Sequence, residues 1–466
     1  MLQKGFRVMR SDQFGYEVTV SSPTAVEAWD QMVLAFLAHS AKTPEYLGRV
    51  LSQEPDFAMA HATKGLFFLM LGRRELNETA QEAHGTATEA VLRSAPSARE
   101  VGYVRALGAW LDGRVSETVR EMEAILTRWP EDALAMKISH ATRFILGDGK
   151  GMRASIEALL PTYDAKNPAR GYLFGCHAFS LEETGDYARA ETAGRLGLSL
   201  SPDDAWGLHA VAHVFDMTGN ARAGLSWLDG REHAWAHCNN FRYHVWWHKA
   251  LMHLDQGEIE AVFDLYDTEI RRDKTDDFRD ISNGTSLLMR LELEGHDVGD
   301  RWEELADISE RRTEDACLLF ADLHYLLALI GDNRDVAVKR MLARMHRDAK
   351  QTNAGELLAR MATPGLSAAT GLEAFGEGDY KTAFLNLGRA RRSMQLAGGS
   401  HAQRDVFERL TVDAAIRGGF LDEAEHILQE RTAQRAGRLD SYASTRLELI
   451  SGSRVDWDDA DRLPAE

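Results

Sequence analysis

Apolar residues recur along this chain at spacings of three and four, the period of an amphipathic helix rather than a strand. Glycines follow these apolar stretches at positions 72, 113, 147, 185, 219, 257, 295, 331, 378 and 419. From Gly113 to Gly331 the separations are 34, 38, 34, 38, 38 and 36 residues, close to the period of a two-helix solenoid repeat. Each Gly suits the left-handed turn that closes a first helix, and a polar or acidic residue typically opens the second. The pattern predicts an all-α chain, a solenoid of helical hairpins.

The clearest unit spans residues 171–202, where GYLFGCHAFSLEETGDYARAETAGRLGLSLSP places Gly185 at the turn, Ala190 in the second helix and Pro202 at the exit. This resembles the tetratricopeptide repeat, with Phe174 where that repeat usually carries Trp. The unit ending at Pro130 keeps the same turn-to-Pro distance from Gly113, with Thr118 in the small-residue place. The register divides the chain into an irregular helical cap over residues 1–98, regular repeats over 99–331, and C-terminal helical repeats with a tail over 332–466. Irregularity is expected from Asp332 to Leu366, and fraying after Ile450.

A length of 466 residues exceeds what one compact core holds, which suits an elongated array whose core is shared between repeats. The net charge of −18 repels phosphate backbones and anionic lipid, so no nucleic-acid partner is expected. Cys176, Cys238 and Cys317 are odd in number and form no CxxC, which points to a reducing, cytoplasmic setting. Lys4, Arg7 and Arg10 near the start are followed by no apolar stretch of a leader, and the longest apolar run, Met32 to Ala38, is far below the roughly 20 residues a membrane span requires.

Candidate chemistry centres on two histidine pairs at helical spacing, His209/His213 in HAVAH and His244/His248 in HVWWH, on neighbouring repeats. Residues four apart project from one helix face, so two such helices side by side could converge four nitrogens on one groove. With Ala205 as position one of its unit, His209 and His213 take positions five and nine, which face the groove in tetratricopeptide repeats. His244 takes position two of the next unit, also groove-facing, while position six of His248 leaves its direction open. Imidazole suits a borderline divalent cation such as zinc, and Asp280 or His324 could complete or orient the shell. HAVAH lacks the Glu of HExxH, however, and such pairs also arise as hydrogen-bonded core residues. Without metal, clustered imidazoles could act as acid and base, set by Asp216, Asp280 or Glu182.

Adjacent Cys176 and His177 point about 100° apart on a helix and form no thiol–imidazole pair. Substrate contacts are expected from Trp246, Arg242, Asn240 and His177. Trp246 and Trp247 cannot both face inward, so one belongs to the inter-repeat core and one lies nearer the cavity. The chain has no GxGxxG, GxxxxGK[ST] or GxSxG, so dinucleotide, P-loop and hydrolase-elbow chemistry have no local support.

The segments HAVAHVFDMTGN, NNFRYHVWWHKALMHLDQGE and DISNGTSLLMRLELEGHDVGDRW, and more weakly ADLHYLLALIGD, resemble the family named after tetratricopeptide repeat protein thirty-eight. That resemblance implies a fold and no established activity. It also points to His209, His213, Asn240, His244, His248, Asp280 and His324 as polar positions in an apolar helical context. Together these readings predict a histidine-lined groove that binds a small molecule, with a possible divalent metal and possible catalysis. The alternative is a non-enzymatic adaptor that takes a peptide or protein segment on its concave face.

Overall fold

The computed structural model describes residues 9–94, 96–351 and 355–460. Lys4 and Arg7 of the basic start, and the LPAE end of the tail, lie outside them. A two-stranded antiparallel ribbon, Arg10–Ser11 against Glu17–Val18, precedes a succession of helical hairpins. Around the histidines these are Arg170–Glu182 with Tyr187–Leu200, Ala205–Met217 with Ala221–Leu228, Phe241–Asp255 with Ile259–Leu265, and Phe278–Leu293 with Arg301–Arg311. The chain is an all-α solenoid of the tetratricopeptide type.

First and second helices differ in what they bury. The second helix Val115–Arg128 buries Val115, Thr118, Val119, Met122, Ile125 and Leu126, a single apolar stripe with a wet back. Thr118 fits its close-packed place because its hydroxyl donates to the Ala106 carbonyl at 2.9 Å. The first helix Ala205–Met217 is buried at every position but Asp216, since its own partner, both neighbouring hairpins and the superhelix axis cover it.

Gly72, Gly113, Gly147, Gly185, Gly219, Gly257, Gly295, Gly378 and Gly419 all hold left-handed φ values between +60° and +89°. Gly331 departs from the expected pattern. It ends the helix Leu319–Gly331 beneath Trp302, whose ring leaves no room for a Cβ, and Asn333 supplies the left-handed residue instead at φ +54°. The stretch expected to be irregular from Asp332 narrows to residues after Asp348. Ala337, Val338, Met341, Leu342 and Met345 keep helical spacing and bury the helix Asp335–Asp348. A short helix, Glu356–Ala359, and a π turn, Met361–Gly365, then follow. The tail does not fray at Ile450, which is 1% exposed and packs with Tyr442 and Ala443 to carry the helix Ser441–Ala460 onward.

The superhelix winds tightly enough for successive turns to touch. The Gly113 carbonyl accepts from the Glu356 amide at 2.8 Å, and the Glu356 carboxylate accepts from the Ser116 amide at 2.7 Å. Further along, Arg360 reaches the Ile145 carbonyl at 3.0 Å, Glu183 accepts from the His401 amide at 2.8 Å, and Arg435 pairs with Asp216 at 2.9 Å. The hairpin turns of one superhelical turn are thus the docking points of the next. None of the helices formed by described residues is long and apolar enough to cross a membrane.

Gly147 serves both roles, because a Cβ there would lie 1.9 Å from the Gln395 carbonyl oxygen, whereas Gly257 has nothing within 4 Å. Gly257→Ala should therefore cost only the left-handed strain of about 1–2 kcal/mol. Gly147→Ala should cost clearly more, as read from paired urea denaturation midpoints, and equal losses would show that the turns do not dock there.

Candidate metal centre

His209 and His213 stand on Ala205–Met217, and His244 and His248 on Phe241–Asp255, the first helices of consecutive hairpins. Both pairs face the superhelix axis, and the four rings meet with centroids 4.2 Å apart for His213–His248 and 5.1 Å for both His209–His244 and His209–His248. Each ring offers one nitrogen to a common region, and the four nitrogens lie within 4.8 Å of one another. His213 Nε2 is 2.9 Å from His209 Nε2, and His248 Nε2 is 3.2 Å from His244 Nε2. A tetrahedral cation at Zn–N distances of roughly 2.0–2.1 Å would need nitrogens about 3.3 Å apart, within this spread.

The outward nitrogens are held by different partners. His209 Nδ1 donates to the Trp206 carbonyl at 3.2 Å, and His244 Nδ1 donates to Asn283 Oδ1 at 2.9 Å. His213 Nδ1 faces the Glu182 carboxylate at 3.5 Å, both groups being fully buried. His248 Nδ1 has no hydrogen-bond partner among the described residues. Carbonyl, amide and carboxylate acceptors behind imidazoles keep the proton on Nδ1 and the Nε2 lone pair free, as metal-ligating histidines require.

Burial decides the charge state. His209 and His248 are held well below the ordinary imidazole range by burial first and by neighbouring imidazoles second. Burial also lowers His244, to about 3, against the support of Asn283. In His213 burial pulls the same way, but Glu182 overrides it and leaves the imidazole above its usual value. Glu182 is itself raised, because burial outweighs the attraction of His213. Glu183 beside it turns to His401 and Arg404 of the later superhelical turn.

The other expected residues are distributed elsewhere. Asp280 accepts from Asn240 at 2.6 Å and from Thr275, and burial, then Asp277, pushes it up to about 7. It reaches none of the four rings, and its helix contributes Asn283 in its place. His324 Nδ1 donates to the Phe320 carbonyl at 2.7 Å and its ring packs between Phe320 and Phe407, so it does not close the quartet. Trp247, not Trp246, lies on the histidines, stacked on His244 at 5.2 Å. Trp246 borders a separate cavity of about 390 Å³ with Trp235, Arg242 and Tyr243, where Arg242 pairs with Asp273 at 2.9 Å. His177 sits 3.5 Å from Glu157, away from the quartet, and Cys176 approaches Lys137 rather than His177. Neither is His209, His213 or His248 on an open groove: all are at most 1% exposed, because the tight winding fills the axis with side chains. Asn283, the Trp206 carbonyl, and the isolated His39 and His140 carried no spacing signal.

Fold and site together define a class, a helical-hairpin solenoid with an imidazole quartet, three of its rings buried, on the first helices of two consecutive hairpins. No family model matches the chain. Among solved structures, it is similar to the human IFIT1 dimer with m7Gppp-AAAA at 15% identity, covering 88% of this chain and 93% of that one, with a TM-score of 0.35. It is also similar to Naa15/Naa10 bound to HypK-THB at 12% identity, covering 88% of this chain and 63% of that one, with a TM-score of 0.25. Likenesses this distant carry nothing about the site.

Three of these imidazoles stay neutral in the folded chain at pH values where the unfolded chain protonates them. Their stabilisation is present above the unfolded value near 6.5 and is lost as pH falls toward their lowered folded values. His213 opposes this, since its raised value stabilises the fold below 6.5 and that contribution is lost as pH rises through it. Unfolding free energy of metal-free protein should fall between pH 6 and pH 5, by up to about 1.4 kcal/mol per pH unit for each depressed imidazole. Replacing His248 with Gln should flatten that slope, measured by urea titration at each pH, and an unchanged slope would contradict the assignment.

Proposed function

We propose that this chain is a metal-binding solenoid whose axial site receives a small molecule beside a borderline divalent cation such as zinc, held by His209, His213, His244 and His248. The observation that supports this most is the shared direction of the four inner nitrogens, three of whose rings have an acceptor or a carboxylate behind them. Neutral imidazoles in a dry site are good ligands for such an ion and costly ornaments without one.

Four protein ligands would make a closed centre, while catalytic centres keep a position for water or substrate. His244 is the ring that retains partial exposure, so it is the ligand a substrate would displace. Glu182 then orients His213 and takes up its proton, the positioning role of a carboxylate behind a ligating imidazole. The adaptor reading has less support, because the inner face at these histidines is packed rather than open.

Protein purified without a histidine tag should bind one Co²⁺ or Zn²⁺ per chain, read by elemental analysis and by the visible spectrum of tetrahedral Co²⁺. His213→Ala and His248→Ala should abolish binding. Glu182→Gln should weaken it about 10–100-fold. Full-length protein that takes up no stoichiometric ion from Zn²⁺, Co²⁺, Ni²⁺ or Cu²⁺ would overturn the reading, as would undiminished binding by the alanine variants.

A further inference from the structure

Away from the quartet, a cavity of about 390 Å³ lies between the short turn Glu232–Ala234, the start of the helix Phe241–Asp255 and a π turn, Tyr266–Ile270, and none of the four histidines borders it. Its aromatic wall is made by Trp235, Tyr243 and Trp246. The two indoles have centroids 5.2 Å apart and planes at 81°, so they form a corner rather than a closed stack. Trp235 is the buried back of that corner, and Trp246 is partly accessible. Glu232, Glu269 and Asp273 set three carboxylates around these rings. The Glu232 and Asp273 side chains are 43% and 47% accessible, so the cavity communicates with solvent.

The chain already sets its own cations against these rings. Lys249 Nζ lies 5.2 Å from the centre of Trp246 and pairs with Asp229 at 2.8 Å and Glu232 at 3.8 Å. The Arg242 guanidinium lies 4.4 Å from the centre of Tyr243 and pairs with Asp273 at 2.9 Å. An aromatic face beside a carboxylate is thus matched by a cation twice on this wall, through the ring quadrupole and the opposite charge together. The third carboxylate has no such match. Glu269, half-buried on the π turn, forms no ion pair or hydrogen bond among the described residues. Arg272 also borders the cavity, but as an exposed side chain that pairs with no described residue.

We propose that this cavity binds a trimethylammonium group, its methyl groups against the Trp235 and Trp246 corner and its charge facing Glu269. A quaternary ammonium carries no N–H, so it asks for none of the three acceptors that a primary ammonium requires. It is also the cation that aromatic enclosures select, because its charge is spread over methyl groups that pack against ring faces. The volume leaves room for the chain that bears the group, either a free amine of the choline type or a methylated lysine side chain. The net charge of −18 draws cations of both kinds toward the surface.

Calorimetric titration of the full-length protein with choline tests it, beside the neutral isostere in which carbon replaces the choline nitrogen. One choline should bind per chain, the isostere should bind at least about tenfold more weakly, and Glu269→Gln and Trp246→Ala should each weaken choline about tenfold. Arg272→Gln removes a competing cation at the rim and should bind choline at least as tightly as the unaltered chain. A trimethyl-lysine peptide distinguishes the sources: tighter binding than choline assigns the group to a modified protein side chain, weaker binding to a free amine, and either supports the proposal. Glu269→Gln loses no partner within the protein, so it carries the test if Trp246→Ala fails to fold. Its Co²⁺ spectrum should match that of the unaltered chain, which separates this cavity from the metal centre. Absence of binding by both choline and the peptide, equal binding of the isostere, or undiminished binding by Glu269→Gln would each overturn the proposal. Weaker binding by Arg272→Gln would overturn it too, since it would mark the cavity as an anion site.

Discussion

Everything distinctive here depends on how tightly the solenoid winds. Hairpin turns at Gly113, Gly147 and Glu183 dock against segments at Glu356, Gln395 and His401, more than two hundred residues later in the chain. Once turns stack in this way, the first helices no longer line an open trough. Their inner faces press together across the axis, and what would be a wet concave wall becomes an interior. The same four imidazoles in an open groove would titrate near neutrality and repel little. Enclosed, three of them are forced neutral, and the fourth is kept protonatable by the carboxylate of Glu182.

The charge distribution has a similar logic. The chain as a whole carries −18, but Arg290 lies over the face of Trp247, the ring stacked on His244. Arg290 is stabilised there by carbonyls, donating to Ser286 at 3.0 Å and Ala402 at 2.7 Å, and by the face of Trp247. Buried cations beside imidazoles depress the imidazoles further, as Arg290 does to His248 and His324.

The hairpin architecture was legible because turn glycines and helical spacing are local, and local preferences summed over many repeats leave little freedom. Gly331 misled for a tertiary reason: its small size serves Trp302, and Asn333 makes the turn. The pairing of His209/His213 with His244/His248 was legible too, since neighbouring repeats place equivalent helix faces side by side. Asp280 and His324 were drawn into the same picture by the family resemblance, and Trp246 by the aromatic residues around the second histidine pair. Their actual partners, Asn240, Phe320 and Trp235, follow from rotations about helix axes that spacing does not encode.

From the amino-acid order alone came the all-α solenoid, its period and the two helices that carry the imidazoles, because each depends on contacts within a hairpin or between adjacent ones. Only the tertiary structure decided that His209, His213 and His248 are buried and that Glu182 and Asn283 stand behind the quartet. The burial follows from contacts between successive superhelical turns, which depend on the accumulated twist of every repeat rather than on any one segment.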